Sequence, residues 1–411
     1  MRRLRATVVL GPDVGREATA GEEGVLTIGT DTTCSLVLTD RAVSRFHVEL
    51  APARGGFRVV DLGSTNGVRI GAVRVTRTVG ASGSRLEIGG SVVEVVDAGV
   101  TSVALSGGEP LGIVAETASM RAVLARTERA AITELPVLVT GESGTGKERI
   151  AHAIHALSVR KEGPLEIVDC AATPPSLLAA ALFGHERGAF TGARERRTGA
   201  VEHAAGGTLF LDEIGELDLA TQSAFLGVLA RRTFRRVGGD DEIRADVRVV
   251  AATHRDLREA VNQGRFRAEL FHRLATVVLR VPPLRERKDD IPALARHFLE
   301  GEGRSVEVDD ARLAEWMAHD WPGNVRELRN AVLSSSFSGG SPEAAAPPQG
   351  PFADLLEEPY RAAREAALAR FDDSYFRELL RATRENVAEA ARRADLDRTH
   401  LHEILKKRGL R

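Results

Sequence analysis

The chain has 411 residues, a length that suggests about two to four domains rather than one. Hydrophobic residues make up 43% and charged residues 28%, an ordinary globular composition that excludes a chain disordered throughout. The net charge of −2 excludes a chain that is basic overall but leaves room for a local basic module. Two cysteines, Cys34 and Cys170, cannot form a disulfide framework and point to a reducing compartment. Apolar stretches fall far short of the ~20 residues of a membrane-spanning helix, so we expect a soluble, cytoplasmic protein.

The first block, residues 1–98, is predicted to be all-β. Short β-branched runs, for example residues 6–10 and 57–61, alternate with turns rich in Gly, Asp and Ser. That spacing is typical of a β-sandwich or barrel.

The second block, residues 111–338, alternates between strand and helix patterns. Apolar strand candidates at 137–140, 208–211 and 247–251 are separated by helical stretches such as 146–157. Such alternation predicts a parallel sheet covered by helices on both faces. Residues 339–352 are rich in Ser, Gly, Ala and Pro and are predicted to form a flexible linker, while 353–411 are predicted to be helical.

A glycine-rich loop follows the strand at 137–140 and opens a helix. Strand, glycine loop and helix together are the context of a Walker A motif, in which backbone N–H groups converge on phosphate oxygens. Lys147 is predicted to bridge the β- and γ-phosphates of ATP. Glu148 stands where the generic pattern has Ser or Thr, so a hydroxyl ligand for Mg²⁺ is missing. The loop residues are Gly141, Glu142, Ser143, Gly144, Thr145, Gly146 and Lys147.

Two carboxylates end the apolar strand at 208–211. An acid at the carboxyl end of a parallel strand lies beside the phosphate loop. Asp212 is therefore predicted to hold Mg²⁺, and Glu213 to orient or deprotonate the attacking water, as in a Walker B motif. Alone, such a pair is a weak signal because acids often cap a following helix.

Between these motifs lies a glycine-flanked loop with an aromatic tip, preceded by residues 182–186. It is similar to the signature surface loop of the AAA+ ATPases that activate sigma-54 RNA polymerase, the bacterial enhancer-binding proteins. Residues 111–338 resemble that family almost continuously, which implies an α/β ATPase domain with a helical lid at about 284–338. An exposed Phe on a mobile loop suits a partner contact. The resemblance implies that sigma-54 is contacted by Gly188, Ala189, Phe190, Thr191, Gly192 and Ala193.

Further positions match the same family one by one. Thr253 and His254 resemble sensor I, and Arg326 resembles the phosphate-facing arginine of sensor II. Arg267 and Arg273 resemble arginine fingers, which by that likeness reach the nucleotide of a neighbouring subunit. Each arginine could alternatively form a surface ion pair.

One position departs from the family pattern. Asp169 stands where many members have Asn, as a switch that holds the Walker B glutamate. The aspartate would place a second negative charge near Glu213.

The end of the chain is locally basic. Residues 376–411 contain ten Lys or Arg and six Asp or Glu, which gives +4. Two helical patterns, 386–393 and 398–408, are joined by a short turn and resemble the Fis-type helix-turn-helix of enhancer-binding proteins. The alternative is a charged hairpin that only dimerises. The likeness places DNA contacts at Arg398, Thr399, His400, His402, Lys406 and Lys407.

The first block carries the spaced motifs of a forkhead-associated (FHA) domain, at residues 27–29, 44–47 and 61–67. Such domains bind phosphothreonine peptides through loops at one end of a sandwich. Thr30 stands where the family usually has Arg, so a charge-assisted phosphate contact is lost unless Arg41 or Arg45 replaces it. The rival interpretation is a docking module that binds no phosphate. The predicted phosphopeptide contacts are Ser44, Arg45, Ser64, Thr65 and Asn66, with His47 in a structural role.

The sequence thus predicts a multidomain transcription switch. An FHA domain at 1–98 senses a phosphothreonine protein or kinase, an AAA+ domain at 111–338 assembles into a homo-oligomeric ring, expected as a hexamer, and the segment 353–411 binds upstream DNA. ATP and Mg²⁺ are the expected cofactors, and sigma-54 with RNA polymerase is the expected partner. Two rivals remain. One is a phosphopeptide and DNA adaptor that binds ATP without hydrolysing it, and the other is an AAA+ remodeller of a different protein.

Overall fold

The computed structural model describes residues 2–21, 24–53, 55–100, 112–301, 309–337, 360–383, 386–394, 396–397, 401–402 and 405–406. The chain forms two compact units, Met1–Phe337 and Ser338–Arg411. Among the residues in those ranges, no helix has the length and apolar character needed to cross a membrane.

The N-terminal part of the first unit is a β-sandwich. One sheet has the order β2-β1-β11-β10-β7-β8 and the other the order β4-β3-β5-β6-β9. Leu4, Ala6 and Val8 alternate with more exposed residues along the first strand, so one face of the strand packs into the core between the sheets. The strands are β1 (Arg2–Leu10), β2 (Glu17–Thr19), β3 (Leu26–Gly29), β4 (Leu36–Val37), β5 (Val48–Ala53), β6 (Gly56–Asp61), β7 (Val68–Ile70), β8 (Val73–Val75), β9 (Arg77–Gly80), β10 (Ser84–Ile88) and β11 (Ser91–Val100).

The central part is a parallel α/β domain of strand order β13-β14-β17-β12-β18. The predicted all-β and α/β fold classes are therefore confirmed. Its elements are α1 (Ala118–Ala131), β12 (Val137–Thr140), α2 (Lys147–Ala156), β13 (Leu165–Asp169), α3 (Pro175–Phe183), α4 (Ala200–His203), β14 (Thr208–Asp212), α5 (Leu219–Ala230), β15 (Thr233–Phe234), β16 (Ile243–Arg244), β17 (Arg248–Thr253), α6 (Leu257–Asn262), α7 (Ala268–Leu274) and β18 (Val277–Arg280).

Apolar layers cover the parallel sheet on both faces. Residues of α1 and α2 pack on one face, around Leu124 and Ile154, while α3, α5 and α7 pack on the other, around Leu182, Phe225 and Leu270. Because both faces are buried, the central strands are continuous apolar runs and not alternating ones. The carboxyl ends of β12, β14 and β17 consequently meet at one edge, where the site lies.

A helical lid follows the sheet. It consists of α8 (Ile291–Gly301), α9 (Asp310–Ala318) and α10 (Asn324–Phe337), preceded by short 3₁₀ turns at Leu284–Glu286 and Lys288–Asp290. Its own core contains Trp316 and Trp321, which are the two tryptophans of the chain.

The second unit contains α11 (Tyr360–Ala382) and α12 (Val387–Arg393). Phe376 and Leu380 of α11 pack with Ala390 and Ala391 of α12, and the buried Leu401 and Leu405 complete this core. The small side chains of Ala390 and Ala391 allow close helix packing. His402 and Lys406 are exposed. Arg398, Thr399, His400, Lys407 and the predicted linker at 339–352 lie outside the described residues.

Candidate functional site

The loop between β12 and α2 depends on glycine at two positions. Gly144 has φ of 76° and Gly146 has φ of 101°, both in the left-handed region that other residues rarely adopt. A Cβ atom on Gly144 would lie 2.3 Å from the carbonyl oxygen of Gly323 in the lid. The loop can therefore turn tightly into the N-terminus of α2, where backbone N–H groups favour an anion.

The side chain of Lys147 lies inside this loop and is only 7% exposed. It donates to the carbonyl oxygens of Gly141 and Glu142 at 3.0 and 3.2 Å. Its Nζ lies 3.5 Å from Oε1 of Glu213, the residue that follows strand β14. The sheet therefore brings the predicted phosphate-binding lysine and the predicted catalytic glutamate together.

Hydrogen bonds from the end of β17 hold Glu213. The backbone N–H of His254 donates to Oε2 at 3.1 Å, the imidazole Nδ1 lies 2.7 Å from the same oxygen, and the hydroxyl of Thr253 donates at 3.4 Å. Glu213 itself has φ of 53°, an uncommon conformation for a residue other than glycine. Its carboxylate is thus held between a cation and three hydrogen-bonding groups of β17.

The two adjacent carboxyl groups differ in proton affinity. Burial raises the pKa of Asp212, and the neighbouring Glu213 carboxylate raises it further. Burial also acts to raise the pKa of Glu213, but the hydrogen bonds from His254 and the charge of Lys147 outweigh it and lower that pKa. Pairs of carboxyls with pKa values pushed apart are typical of sites in which the two groups have different tasks.

Asp169, the residue expected to act as a switch, lies in register with Asp212 on the adjacent strand β13. Its Oδ1 accepts hydrogen bonds from the backbone N–H groups of Ala171 and Ala172. The hydrogen bonds that hold Glu213 come instead from Thr253 and His254. The second negative charge expected near the site is present, and it contributes to raising the pKa of Asp212.

The lid contacts the glycine loop through residues that sequence reasoning missed. Arg285 forms two hydrogen bonds to the carboxylate of Glu142, at 2.7 and 2.6 Å. Buried Arg287 donates to the carbonyl oxygen of Thr145 at 2.7 Å. Asn324 donates to the carbonyl oxygen of Ser143 at 3.0 Å and accepts from the backbone N–H of Leu284 at 2.8 Å.

These contacts surround the one lid residue that the sequence did single out. Arg326 donates to the hydroxyl of Ser143 at 3.2 Å. Arg285 and Arg287 lie where the sheet ends and the lid begins, and Asn324 lies two residues before Arg326 in the same motif. The proximity of Asn324 to that motif was the one sequence signal that could have identified it.

Other predicted residues lie elsewhere on the central domain. Arg267 and Arg273, the predicted fingers, are exposed at the start and near the end of α7. Phe190 is 37% exposed at the tip of the long loop that joins α3 to α4, and Thr191 beside it is also exposed. The ring of Phe190 lies 4.9 Å from that of His185, and Gly188 closes the loop by donating to the carbonyl oxygen of Ala193.

The predicted peptide-binding residues meet at one end of the sandwich. The hydroxyl of Ser44 accepts from the N–H of Thr65 at 3.0 Å, and Asn66 donates to the carbonyl oxygen of Ala42 at 2.7 Å. Buried His47 bridges the two loops, because its ring nitrogens lie 3.1 Å from the N–H of Ser44 and 3.0 Å from the carbonyl oxygen of Gly67.

Residues at this end that are exposed to solvent include Arg41, Arg45, Thr65 and Asn66. Arg45 is exposed, whereas the hydroxyl of Ser64 is turned inward and accepts from the N–H of Gly67 at 3.0 Å. Arg41 is also exposed, and Thr30 is half-buried.

Three family matches cover most of the first unit. Residues 113–280 match the family described as the sigma-54 interaction domain, and residues 285–338 match the AAA+ ATPase lid domain. Residues 7–99 match the family described as the cytoplasmic domain of the inner membrane component of T3SS.

Individual proteins give the same picture. The chain is 50% identical over 224 residues to the DNA-binding transcriptional regulator NtrC of Rhizobium meliloti. The alignment covers 54% of this chain and 46% of that protein. It spans about half the length of the curated relatives it matches. A structure of NtrX from Brucella abortus in complex with ATP aligns with a TM-score of 0.52 and 35% identity, over 72% of this chain and 69% of the other.

The sandwich also aligns with a solved FHA domain from a study of phosphothreonine-dependent interactions. The identity is 28%, the alignment covers 23% of this chain and 95% of that chain, and the TM-score is 0.21. The assignment of a sandwich to this part of the chain rests on its own strand order.

Replacing Asn324 tests how strongly the lid is held. Asn324 is fully buried, has φ of 56° and bonds to both the loop and the lid. We expect Asn324→Ala to lower the free energy of unfolding of the lid by roughly 2–4 kcal/mol, because buried partners lose their hydrogen bonds. Urea unfolding followed by tryptophan fluorescence reports on the lid, since both tryptophans lie in its core. Asn330→Ala, at an exposed position of the same helix, is the matched control. Equal urea midpoints for the two variants would contradict a role for Asn324 in holding the lid.

Proposed function

Because the chain belongs to the family of sigma-54-dependent transcription activators, we propose that it is an ATPase whose oligomeric ring remodels the sigma-54 RNA polymerase closed complex. The observation that carries the proposal is the approach of Lys147 to Glu213 across the glycine loop, with Asp212 beside them. This is the arrangement that phosphoryl transfer to water requires, since it combines an anion cradle, a cation and a carboxylate base.

Each residue of the site has a definite task in this proposal. Lys147 leaves the loop carbonyls to bind the β- and γ-phosphates, and Glu213 accepts a proton from the attacking water. The carboxylate oxygens of Asp212 suit Mg²⁺, whose preferred ligands are oxygens. When bound, Mg²⁺ neutralises charge on the phosphate oxygens. Glu213 is the more suitable base of the pair because His254 and Lys147 hold its ionised carboxylate in a fixed position beside the loop.

The two exposed arginines support the proposal of a ring. Arg267 directly precedes α7 and Arg273 lies near its end, and both are exposed to solvent. We assign them to the nucleotide of a neighbouring subunit, where a guanidinium stabilises the charge of the transition state. Hydrolysis then depends on assembly.

The loop 188–193 is assigned to contact with sigma-54. Phe190 and Thr191 are exposed at its tip, whereas Ala193 is buried and anchors its base. Positive φ angles at Gly188 and Gly192 provide hinge points.

The domains at the two ends of the chain are assigned to DNA binding and to regulation. We assign DNA binding to the second unit, on the basis of the +4 charge of residues 376–411 and the exposed His402 and Lys406. Phosphothreonine recognition is assigned to the sandwich, where Ser44, Arg45 and Asn66 share one end. Tethering to upstream DNA would raise the concentration of the ring near its promoter.

The position of ionised Glu213 argues against the first alternative, an adaptor that binds ATP without hydrolysing it. The likeness of the loop 188–193 to the family's sigma-54 contact argues against the second alternative, an AAA+ protein that remodels a different partner. A docking module in place of a phosphopeptide receptor remains the alternative for the sandwich.

Substitutions at the site separate binding from hydrolysis. We expect Glu213→Gln to bind ATP normally but to lower the rate of phosphate release at least about a hundredfold, because the base is lost. Lys147→Ala should lose ATP binding as well, and Glu87→Gln on the exposed face of β10 should change neither. Phosphate release and fluorescent-nucleotide binding measure the two effects. Hydrolysis by Glu213→Gln at the wild-type rate would refute the ATPase proposal.

Replacing Thr191 separates hydrolysis from the contact with sigma-54. We expect Thr191→Ala to retain at least about half of the ATPase rate while losing capture of sigma-54 in the presence of ADP and aluminium fluoride, because Thr191 is an exposed residue at the tip of the proposed contact loop and is not one of the residues assigned to hydrolysis. Thr198→Ala, in the same α3–α4 loop but outside residues 188–193, is the control and should bind sigma-54 as the wild type does. Full sigma-54 capture by the Thr191 variant would show that the loop has another role.

Phosphopeptide recognition can be measured at the loops of the sandwich. Ser44→Ala and Asn66→Ala should each weaken binding of phosphothreonine peptides by about tenfold, because a hydrogen bond to a charged ligand is removed. Ser84→Ala on β10 is the control, and the unphosphorylated peptides give the background. Isothermal titration with peptides selected from a phosphothreonine library gives the affinities. Unchanged peptide affinity in both variants would favour the docking module.

A further inference from the structure

Two buried charged residues lie at the junction between the parallel sheet and the lid. The side chain of Arg287 is only 3% exposed, and that of Asp290 is fully buried. Nη1 of Arg287 lies 3.7 Å from Oδ2 of Asp290. Removing two charges from water carries a desolvation penalty that their mutual attraction often does not offset, so a buried pair is weak evidence for a role in stability alone.

The guanidinium of Arg287 also reaches the glycine loop. Its Nη2 donates to the carbonyl oxygen of Thr145 at 2.7 Å. Thr145 is itself buried, and its hydroxyl donates to the carbonyl oxygen of Glu142 at 2.8 Å. The peptide group between Thr145 and Gly146 is therefore held by a charged donor that is fixed in the interior of the protein.

Fixing this carbonyl group also fixes the N–H that follows it. The peptide bond is planar and trans, so the C=O of Thr145 and the N–H of Gly146 point in opposite directions. No described residue accepts a hydrogen bond from the N–H of Gly146. Gly146 directly precedes α2, where backbone N–H groups favour an anion. The peptide therefore turns its carbonyl oxygen toward Arg287 and its N–H away from Arg287, at the N-terminus of this helix.

Asp290 holds the guanidinium from the other side. Its Oδ1 accepts hydrogen bonds from the backbone N–H groups of Glu116 and Thr117, at 2.8 and 2.7 Å. Its Oδ2 accepts from the hydroxyl of Thr117 at 3.3 Å. Thr117 is the N-cap of α1, so the carboxylate is attached to the start of a helix that packs on the sheet. Arg287 thus spans from this fixed carboxylate to the glycine loop.

We infer that Arg287 is a positioning residue for phosphate binding, which directs the N–H of Gly146 at the phosphates of the nucleotide by holding the carbonyl oxygen of Thr145. Asp290 supports this role because it fixes the guanidinium. Arginine suits the task because separate nitrogens of one planar fork can face Thr145 and Asp290 at the same time. The inference rests on the proposed function, in which the glycine loop binds ATP.

Arg287→Lys is the variant that tests this role. Lysine keeps a charge beside Asp290 but lacks the planar fork that reaches Thr145 at the same time. Arg248→Lys is the matched control. Arg248 is 1% exposed at the start of β17, and it donates to the carbonyl oxygens of Ala130 and Ala131 at 2.6 and 2.7 Å. It is thus another buried arginine bound to backbone carbonyl oxygens, whereas the site lies at the carboxyl ends of the strands.

The experiment measures nucleotide binding by the full chain. We expect Arg287→Lys to weaken binding of fluorescent ADP at least about tenfold, because an N–H group that donates to a charged ligand is no longer oriented. Arg248→Lys should bind fluorescent ADP as the wild type does. Pyrophosphate, used as a competitor, should lose affinity for Arg287→Lys by the same factor as ADP, because the N–H of Gly146 donates to phosphate and not to the base.

A second variant serves if Arg287→Lys does not fold. Arg287→Gln combined with Asp290→Asn leaves no unpaired charge in the interior, and glutamine is too short to reach Thr145 from the position of Arg287. The double variant should show the same loss of affinity for ADP and for pyrophosphate.

The outcomes separate this role from a structural one and from the proposed function. Wild-type affinity for ADP in the Arg287 variant would overturn the inference, and so would an equal loss in Arg248→Lys, which would trace the effect to stability. Weaker ADP binding with unchanged pyrophosphate binding would also overturn it, since the loss would then arise at the base. A wild-type chain that binds ADP but releases no phosphate from ATP would contradict the ATPase proposal, while the binding comparison would still decide the role of Arg287.

Discussion

The site depends on the ammonium of Lys147, which is held between the carbonyl oxygens of its own loop and the carboxylate of Glu213. A buried ammonium without such partners would carry a large desolvation penalty. The parallel sheet meets this requirement because β12 and β14 both end at the same edge and deliver the loop and the carboxylate to one place. The hydrogen bonds from His254 then keep Glu213 ionised and directed at the loop.

The same loop is also where the lid attaches. Glu142 of the loop accepts hydrogen bonds from Arg285, while Asn324 links Ser143 to the start of the lid. A change in what the loop binds would therefore act directly on the lid, since the loop residues that contact the lid lie only two to five positions before Lys147. The same unit also carries α6 and α7, which contact the sandwich through Phe46 and Phe271. One compact unit thus contains the chemistry, a coupled lid and the sandwich.

How much the sequence reveals depends on how far apart the contacting residues are along the chain. The strand at 137–140 was predicted from its apolar run and is observed as Val137–Thr140, and the glycine loop follows it directly. Glu213 lies at the end of a predicted strand, so a parallel sheet was enough to place it near the loop. By contrast, Arg285 and Glu142 are 143 positions apart, and no periodicity or spacing links them. The same holds for Asn262 and Leu62, which are 200 positions apart and belong to segments predicted as separate domains.

In the proposed function, the energy of ATP hydrolysis opens a promoter. Transcription in vitro from a sigma-54 promoter tests this directly, with purified full chain, sigma-54 and RNA polymerase, in ATP or in a non-hydrolysable analogue. We expect open complexes and transcript with ATP, and neither with the analogue. Equal transcript in both conditions, or none with ATP from a chain that assembles and releases phosphate, would contradict it.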